Sequence, residues 1–190
     1  MKKKNSLLIF GILVIVPVLL GSLFLLPSKP YLFKTKTEPS PSSANKEKEP
    51  EIFTAEDGQV LETAIVTRVI DGDTIEINGS QKVRYIGINT PEISFTNGKA
   101  DCYGEEARRA NEELVGGKKV WLEKDVSDTD KYGRLLRYVW SGELMINEYL
   151  VNQGFANIST YPPDVKYQDR LLEAQKEAVL NKRGLWKACQ

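Results

Sequence analysis

No histidine occurs anywhere in the 190 residues. Its absence removes the usual general base of hydrolases, the histidine-dependent nucleophile arrangements and every histidine-ligated zinc or copper site. Cysteine is nearly missing as well: Cys102 and Cys189 are the only two, too few for a structural zinc site and wrongly spaced for a C-x-x-C redox pair. There is no net charge either, since 26 basic residues balance 26 acidic ones. No whole-chain field therefore draws the protein to nucleic acid or to an anionic membrane, and any recognition of phosphate has to be local. If the chain is an enzyme, its chemistry falls to carboxylates, arginines and a hard metal ion.

What is present divides into three parts. Lys2, Lys3 and Lys4 precede an uncharged, mostly apolar run from Ser6 to Leu26, which at ~1.5 Å per residue is long enough for a ~30 Å bilayer core. Residues 1–27 read as a cytoplasmic basic stub followed by either a transmembrane anchor or a cleaved secretion signal, with everything after it outside the cytoplasm. The expected location is the cell membrane, single-pass with an extracellular C-terminal domain, or the medium if the segment is removed. Residues 28–58 change to Pro, Ser, Lys, Glu and Thr. Such a composition buries too little apolar surface to offset its ordering entropy, so a disordered linker is expected there.

Residues 59–190 form the folded domain. β-branched runs at 66–70, 74–77 and 83–88 are separated by Asp71-Gly72 and Asn78-Gly79, the second a strong hairpin signal. Ala107, Ala110 and Leu114 at helical spacing, with Glu105 and Glu106 before them and Gly116-Gly117 after, predict a helix over 103–115. Strands at 119–123 and 135–140, a short helix at 145–152 and a last helix at 167–182 follow. The order predicts an α+β fold, most simply a small five-stranded barrel with helices on one side. Counted alone, this domain is slightly acidic, which argues against a module that grips DNA by charge.

The residues that carry chemistry fall in three short stretches. Asp71-Gly72-Asp73-Thr74 sits on a strand-to-strand turn, and Arg84-Tyr85-Ile86-Gly87-Ile88-Asn89-Thr90-Pro91-Glu92 follows closely. Asp73, Asn89 and Glu92 are thereby oxygen donors at strand ends, with one guanidinium beside them. Asp130-Lys131-Tyr132-Gly133-Arg134 is the third stretch. Each alone reads as an ordinary turn or loop; their conjunction points to phosphate chemistry. In-line attack on a phosphodiester builds charge that Arg84, Arg134 and a cation would neutralise. A carboxylate such as Glu92 is then the most plausible base. Tyr161 and Tyr167 are candidates for base stacking, against core or rim packing as the commoner role of a lone tyrosine, and Tyr132, flanked by Lys131 and Arg134, either caps a nucleotide or packs. The polar stretch between Ile93 and Asp101 either covers the substrate strand, with Lys99 meeting a phosphate, or is a plain connection.

These stretches, with Tyr103-Gly104-Glu105-Glu106-Ala107 and Gly184-Leu185-Trp186, resemble the staphylococcal nuclease (thermonuclease) family over about residues 60–186. The resemblance implies a five-stranded OB-type β-barrel with three helices and a calcium-dependent phosphodiesterase. It further implies action on DNA and RNA, single strands favoured, leaving 3′-phosphate ends. On the matching positions it makes Asp73 a direct Ca²⁺ ligand and gives Thr90 a backbone-carbonyl role. Asn89 stands where the family more often has a second aspartate. Glu92 matches the glutamate that orients or deprotonates the attacking water, and Arg84 and Arg134 match the two phosphate-holding arginines. Lys131, Tyr132, Tyr161 and Tyr167 are the expected substrate contacts, although Thr160 and Pro162 occur where further aromatics are expected. The rival reading is a noncatalytic OB-type module that binds nucleic acid or protein at the membrane. A monomer is expected. Outside the reducing cytoplasm Cys102 and Cys189 are expected to pair, stapling the tail to the body.

Overall fold

Both residues of the Asn78-Gly79 turn have positive φ, 48° and 93°, which matches the twist of the strands they join. The turn closes a hairpin between β2 (Thr74–Ile77) and β3 (Gln81–Tyr85). The computed structural model to which it belongs describes residues 52–55, 57–93 and 100–189. The apolar N-terminal segment, residues 28–51 and Lys99 lie outside them, and among the described residues no helix is long and apolar enough to cross a membrane.

β1 (Glu62–Val69) pairs antiparallel with β2 on one side and with β5 (Lys119–Glu123) on the other. β5 pairs antiparallel with β6 (Leu135–Ser141). A parallel pairing of β3 with β6, Val83 opposite Leu135, then closes the five strands into a barrel. Three helices pack outside it: α1 (Gly104–Val115), α2 (Ile146–Asn152) and α3 (Gln168–Leu180). The arrangement is an OB-type α+β fold. Smaller pieces add to it: β7 (Leu144–Met145), the antiparallel pair of β4 (Gly87–Asn89) with β8 (Asn157–Ser159), and the short α4 (Leu185–Ala188).

The run 83–88, expected as one strand, breaks after Tyr85. Gly87 has φ +80°, and a Cβ there would lie 2.5 Å from Leu171 Cδ1 of α3. Only glycine combines that dihedral with that approach. The break turns the chain out of the barrel into β4 and so carries Asn89 and Thr90 to the rim.

Alternation along β5 and β6 divides the core in two. Val120, Leu122, Leu135 and Val139 point into the barrel with Val66, Ile75, Ile77 and Val83. Trp121, Tyr138 and Trp140 point outward into a second cluster with Ala55, Leu61 and Met145. That second cluster corrects the linker boundary. Phe53 lies with its ring centroid 4.1 Å from that of Trp121, Ala55 is buried, and Leu61 N–H donates to the Phe53 carbonyl at 2.9 Å. Among the described residues packing therefore already includes Phe53, inside the stretch read as a tether, because this aromatic finds a hydrophobic seat on Trp121. Cys102 and Cys189 are joined by a disulfide, Cα to Cα 5.8 Å, which ties the start of α1 to the end of the chain.

Candidate active site

The turn between β1 and β2 holds Asp73. Asp71 Oδ1 accepts the Asp73 N–H at 3.0 Å, a local bond typical of aspartate in turns, and Tyr85 N–H donates to the Asp73 carbonyl at 2.9 Å. A Cβ on Gly72 would sit 2.6 Å from Thr90 Cγ2 and 2.8 Å from Ala107 Cβ, so the turn is pressed between the β4 exit and α1. Its carboxylate is buried. Oδ2 accepts the Thr90 N–H at 2.8 Å, and Oδ1 accepts the Thr74 hydroxyl at 3.2 Å.

Arg84 projects from β3, opposite Thr74 on β2 and Leu136 on β6. Its Nη1 donates to the carbonyls of Tyr85 and Ile88 at 2.8 and 2.9 Å. Its Nη2 reaches Asn89 Oδ1 at 2.9 Å and Asp73 Oδ2 at 3.1 Å. Two side-chain oxygens, one from the β1–β2 turn and one from β4, thus converge on one nitrogen. Asn89 Nδ2 donates to the Thr90 carbonyl at 3.2 Å, which turns its amide oxygen toward Arg84. Burial pushes the Asp73 carboxyl up to about 6; Arg84 works against that and Asp71 adds to it.

Asp73 Oδ2 and Asn89 Oδ1 meet on the Arg84 guanidinium, and the Thr90 carbonyl lies beside them as the acceptor of Asn89 Nδ2. Carboxylate, amide oxygen and backbone carbonyl are the donors a hard cation takes. Among the described residues no group of three or more His, Cys, Asp or Glu is placed to hold a metal, so the set at Asp73, Asn89 and Thr90 would be a mixed one with little charge.

Arg134 is organised by its own loop. Asp130 Oδ1 accepts the N–H of Tyr132 at 2.8 Å and of Arg134 at 3.0 Å, and Oδ2 accepts Arg134 Nε at 2.6 Å. Burial opposes ionisation of Asp130, but these bonds outweigh it and hold the carboxyl below its usual range. Only Nε of Arg134 is taken; its terminal nitrogens have no hydrogen-bond partner among the described residues. Arg134 and Lys131 lie over the Tyr132 ring, at 5.5 and 5.0 Å from its centroid.

A cleft of about 600 Å³ brings Arg84 together with Lys131, Tyr132, Arg134 and Tyr161; Asp73, Asn89, Thr90 and Glu92 do not line it. Tyr132 and Tyr161 are largely exposed at its walls, at 72% and 74%, the Tyr132 ring with the two cations over it. Glu92 lies beyond β4 with its side chain exposed, and its backbone is held by Asp101, whose N–H donates to the Glu92 carbonyl at 2.9 Å and whose Oδ2 accepts the Glu92 N–H at 3.3 Å.

Tyr167 is the correction. It is buried, its hydroxyl donates to the Glu123 carboxylate at 3.0 Å, and its ring meets Tyr138 edge-on at 4.7 Å. It is a core residue and has no face for a base. The structure also adds residues that sequence reasoning missed. Asp130, in the sequence no more than the first residue of its motif, builds the loop. Asn111 bonds both Tyr85 and the Asp71 carbonyl; its signal was a lone amide on the row between Ala107 and Val115.

Residues 82–188 match the family model described as "Staphylococcal nuclease homologue". The chain is 42% identical over 128 residues to the thermonuclease of Staphylococcus hyicus, covering 66% of this chain and 76% of that protein. It is 41% identical over 128 residues to the thermonuclease of Staphylococcus intermedius, with the same coverage. Against the endonuclease YncB of Bacillus subtilis (strain 168) it is 40% identical over 131 residues, 66% of this chain and 62% of that one. The barrel and its cleft are therefore those of a nuclease, an enzyme that binds nucleic acid as substrate. The chain belongs to the staphylococcal nuclease family, which uses a metal ion.

Proposed function

We propose that the enzyme is a calcium-dependent phosphodiesterase that cleaves DNA and RNA, single strands favoured, to 3′-phosphate ends outside the cytoplasm. The observation that carries this reading is the convergence of Asp73 Oδ2 and Asn89 Oδ1 on one nitrogen of Arg84, a residue that lines the same cleft as Arg134. Asp73, Asn89 and the Thr90 carbonyl are the residues that would hold the cation. When bound, Ca²⁺ supplies charge against the non-bridging phosphate oxygens.

The protein's own groups do the rest. Arg134, anchored through Nε, has its terminal nitrogens free for two phosphate oxygens. Arg84 has both terminal nitrogens committed to protein acceptors, so contact with phosphate requires it to exchange some of them. Glu92, with an exposed carboxylate, takes the proton of the attacking water or aligns it. Tyr132 and Tyr161 offer faces to bases on either side of the scissile group.

End-labelled single-stranded DNA and RNA oligonucleotides test the reading. Cleavage is expected with calcium and none with a chelator, and the products should change mobility on phosphatase treatment. Products ending in 3′-hydroxyl, or cleavage undiminished by chelator, contradict it. The location is a proposal resting on the basic stub and apolar run. A protease added to intact cells should release a domain that begins near Phe53; protection until lysis contradicts that orientation.

A further inference from the structure

We propose that Asn111 is the positioning residue of the acidic turn: from α1 it fixes the direction in which Asp73 presents its carboxylate. The proposal rests on the reading above that Asp73 is a cation ligand.

Asn111 is fully buried and is the polar member of the row that α1 turns inward, Gly104, Ala107, Asn111 and Val115. An amide in that position is costly unless both its ends are bonded. They are. Oδ1 accepts the Tyr85 hydroxyl at 2.9 Å, and Nδ2 donates to the Asp71 carbonyl at 3.0 Å.

The bonds form a closed circuit around the turn. Asp71, its first residue, is held at the carbonyl by Asn111. Asp73, its last, is held at the carbonyl by the Tyr85 N–H at 2.9 Å. Tyr85 and Asn111 are themselves joined, so neither end of the turn can shift without breaking a buried bond. The circuit also has a direction. The Asp71 carbonyl can only accept, so Asn111 must turn its nitrogen to Asp71 and its oxygen to the Tyr85 hydroxyl, which donates. Gly72 closes the arrangement mechanically, because it rests against Ala107 one helical turn before Asn111.

An apolar residue would fill this space without the amide's desolvation cost. What the amide adds is a fixed direction for the turn. Groups that orient metal ligands from behind typically change affinity or activity by about 10–100-fold when removed.

Two variants at Asn111 separate orientation from packing. Asn111→Asp keeps an acceptor for Tyr85 but loses the donor to Asp71, and Asn111→Ala loses both. Tyr85→Phe removes one hydroxyl and keeps the fold's volume should either of them fail to fold. Val151→Ala, a core change in α2 outside the site, serves as the stability control. Calcium affinity by calorimetry, kcat, KM and Tm are measured for each, well below the lowest Tm.

We expect both Asn111 variants to bind calcium about tenfold more weakly and to lose kcat with little change in KM. Tyr85→Phe should show a smaller loss of about threefold, and Val151→Ala should lower Tm alone. Calcium affinity and kcat within twofold of wild type in the Asn111 variants, or in Tyr85→Phe if those do not fold, overturn the proposal. If wild type itself binds no calcium, the calcium reading fails separately, and Asn111 is then judged on the split between kcat and KM.

Discussion

Arg84 lies 3.1 Å from Asp73, the guanidinium 16% and the carboxylate 6% exposed. This pair joins the turn before the second strand to the third strand, and the same Arg84 nitrogen also meets Asn89 Oδ1 at 2.9 Å. Arg134 has no such double duty, since its partner Asp130 belongs to its own loop.

The two arginines should therefore fail differently. Arg84→Lys places one ammonium where two terminal nitrogens serve four acceptors, and losing charge-assisted bonds costs about 1.5–3 kcal/mol each. Tm should fall and turnover should be largely lost. Arg134→Lys should leave Tm within a degree or two while turnover falls by at least tenfold, because lysine cannot reproduce a fork on phosphate. Thermal melts and steady-state kinetics on both variants check this; equal Tm losses count against the division.

Glu92 contributes nothing visible to the fold through its carboxylate, which makes no hydrogen bond or ion pair among the described residues. Glu92→Gln should leave Tm and oligonucleotide affinity unchanged while lowering kcat by about 10²–10⁴-fold, the range of general-base assistance. Near-normal single-turnover rates would remove it from the mechanism.

The disulfide closes a loop of 87 residues in sequence separation, for which the chain-entropy treatment gives about 4.6 kcal/mol. Cys102 stands at the threshold of α1, the helix that backs the acidic turn. Reduction, or Cys102→Ser, should lower Tm by several degrees. Melting curves that coincide with and without a membrane-permeable thiol reductant would show that the bond contributes no stability.

Much of this was legible in the sequence where a local signal and the tertiary demand agree. Asn78-Gly79 marked its hairpin and Gly116 ended the first helix, because turn chemistry is decided by neighbours in the chain. The strand break at Gly87 was hidden: an unbroken β-branched run looks continuous, and the reason for the kink is Leu171, far away in sequence. Tyr167 misled for the same cause. A tyrosine near a site reads as a stacking platform until the buried Glu123 that accepts its hydroxyl is known. Phe53 was lost in a polar stretch whose average composition says nothing about one aromatic with a seat on Trp121. The cleft residues Arg84, Tyr132, Arg134 and Tyr161 were readable as types in motifs, but their meeting depends on the parallel closure of the third strand against the sixth.

The central claim is that Asp73, Asn89 and Thr90 hold calcium beside Arg84. Asn89 brings an oxygen but no formal charge, so the site should be weak, in the ~10⁻⁴–10⁻³ M range of extracellular modules. A calcium titration of single-strand cleavage by wild type, Asn89→Asp and Asp73→Asn tests it most directly. The account predicts that wild type saturates only at high calcium, that Asn89→Asp reaches half-maximal rate at lower calcium, and that Asp73→Asn is inactive throughout. Identical calcium dependence in wild type and Asn89→Asp would contradict it, because Asn89 would then not be a ligand.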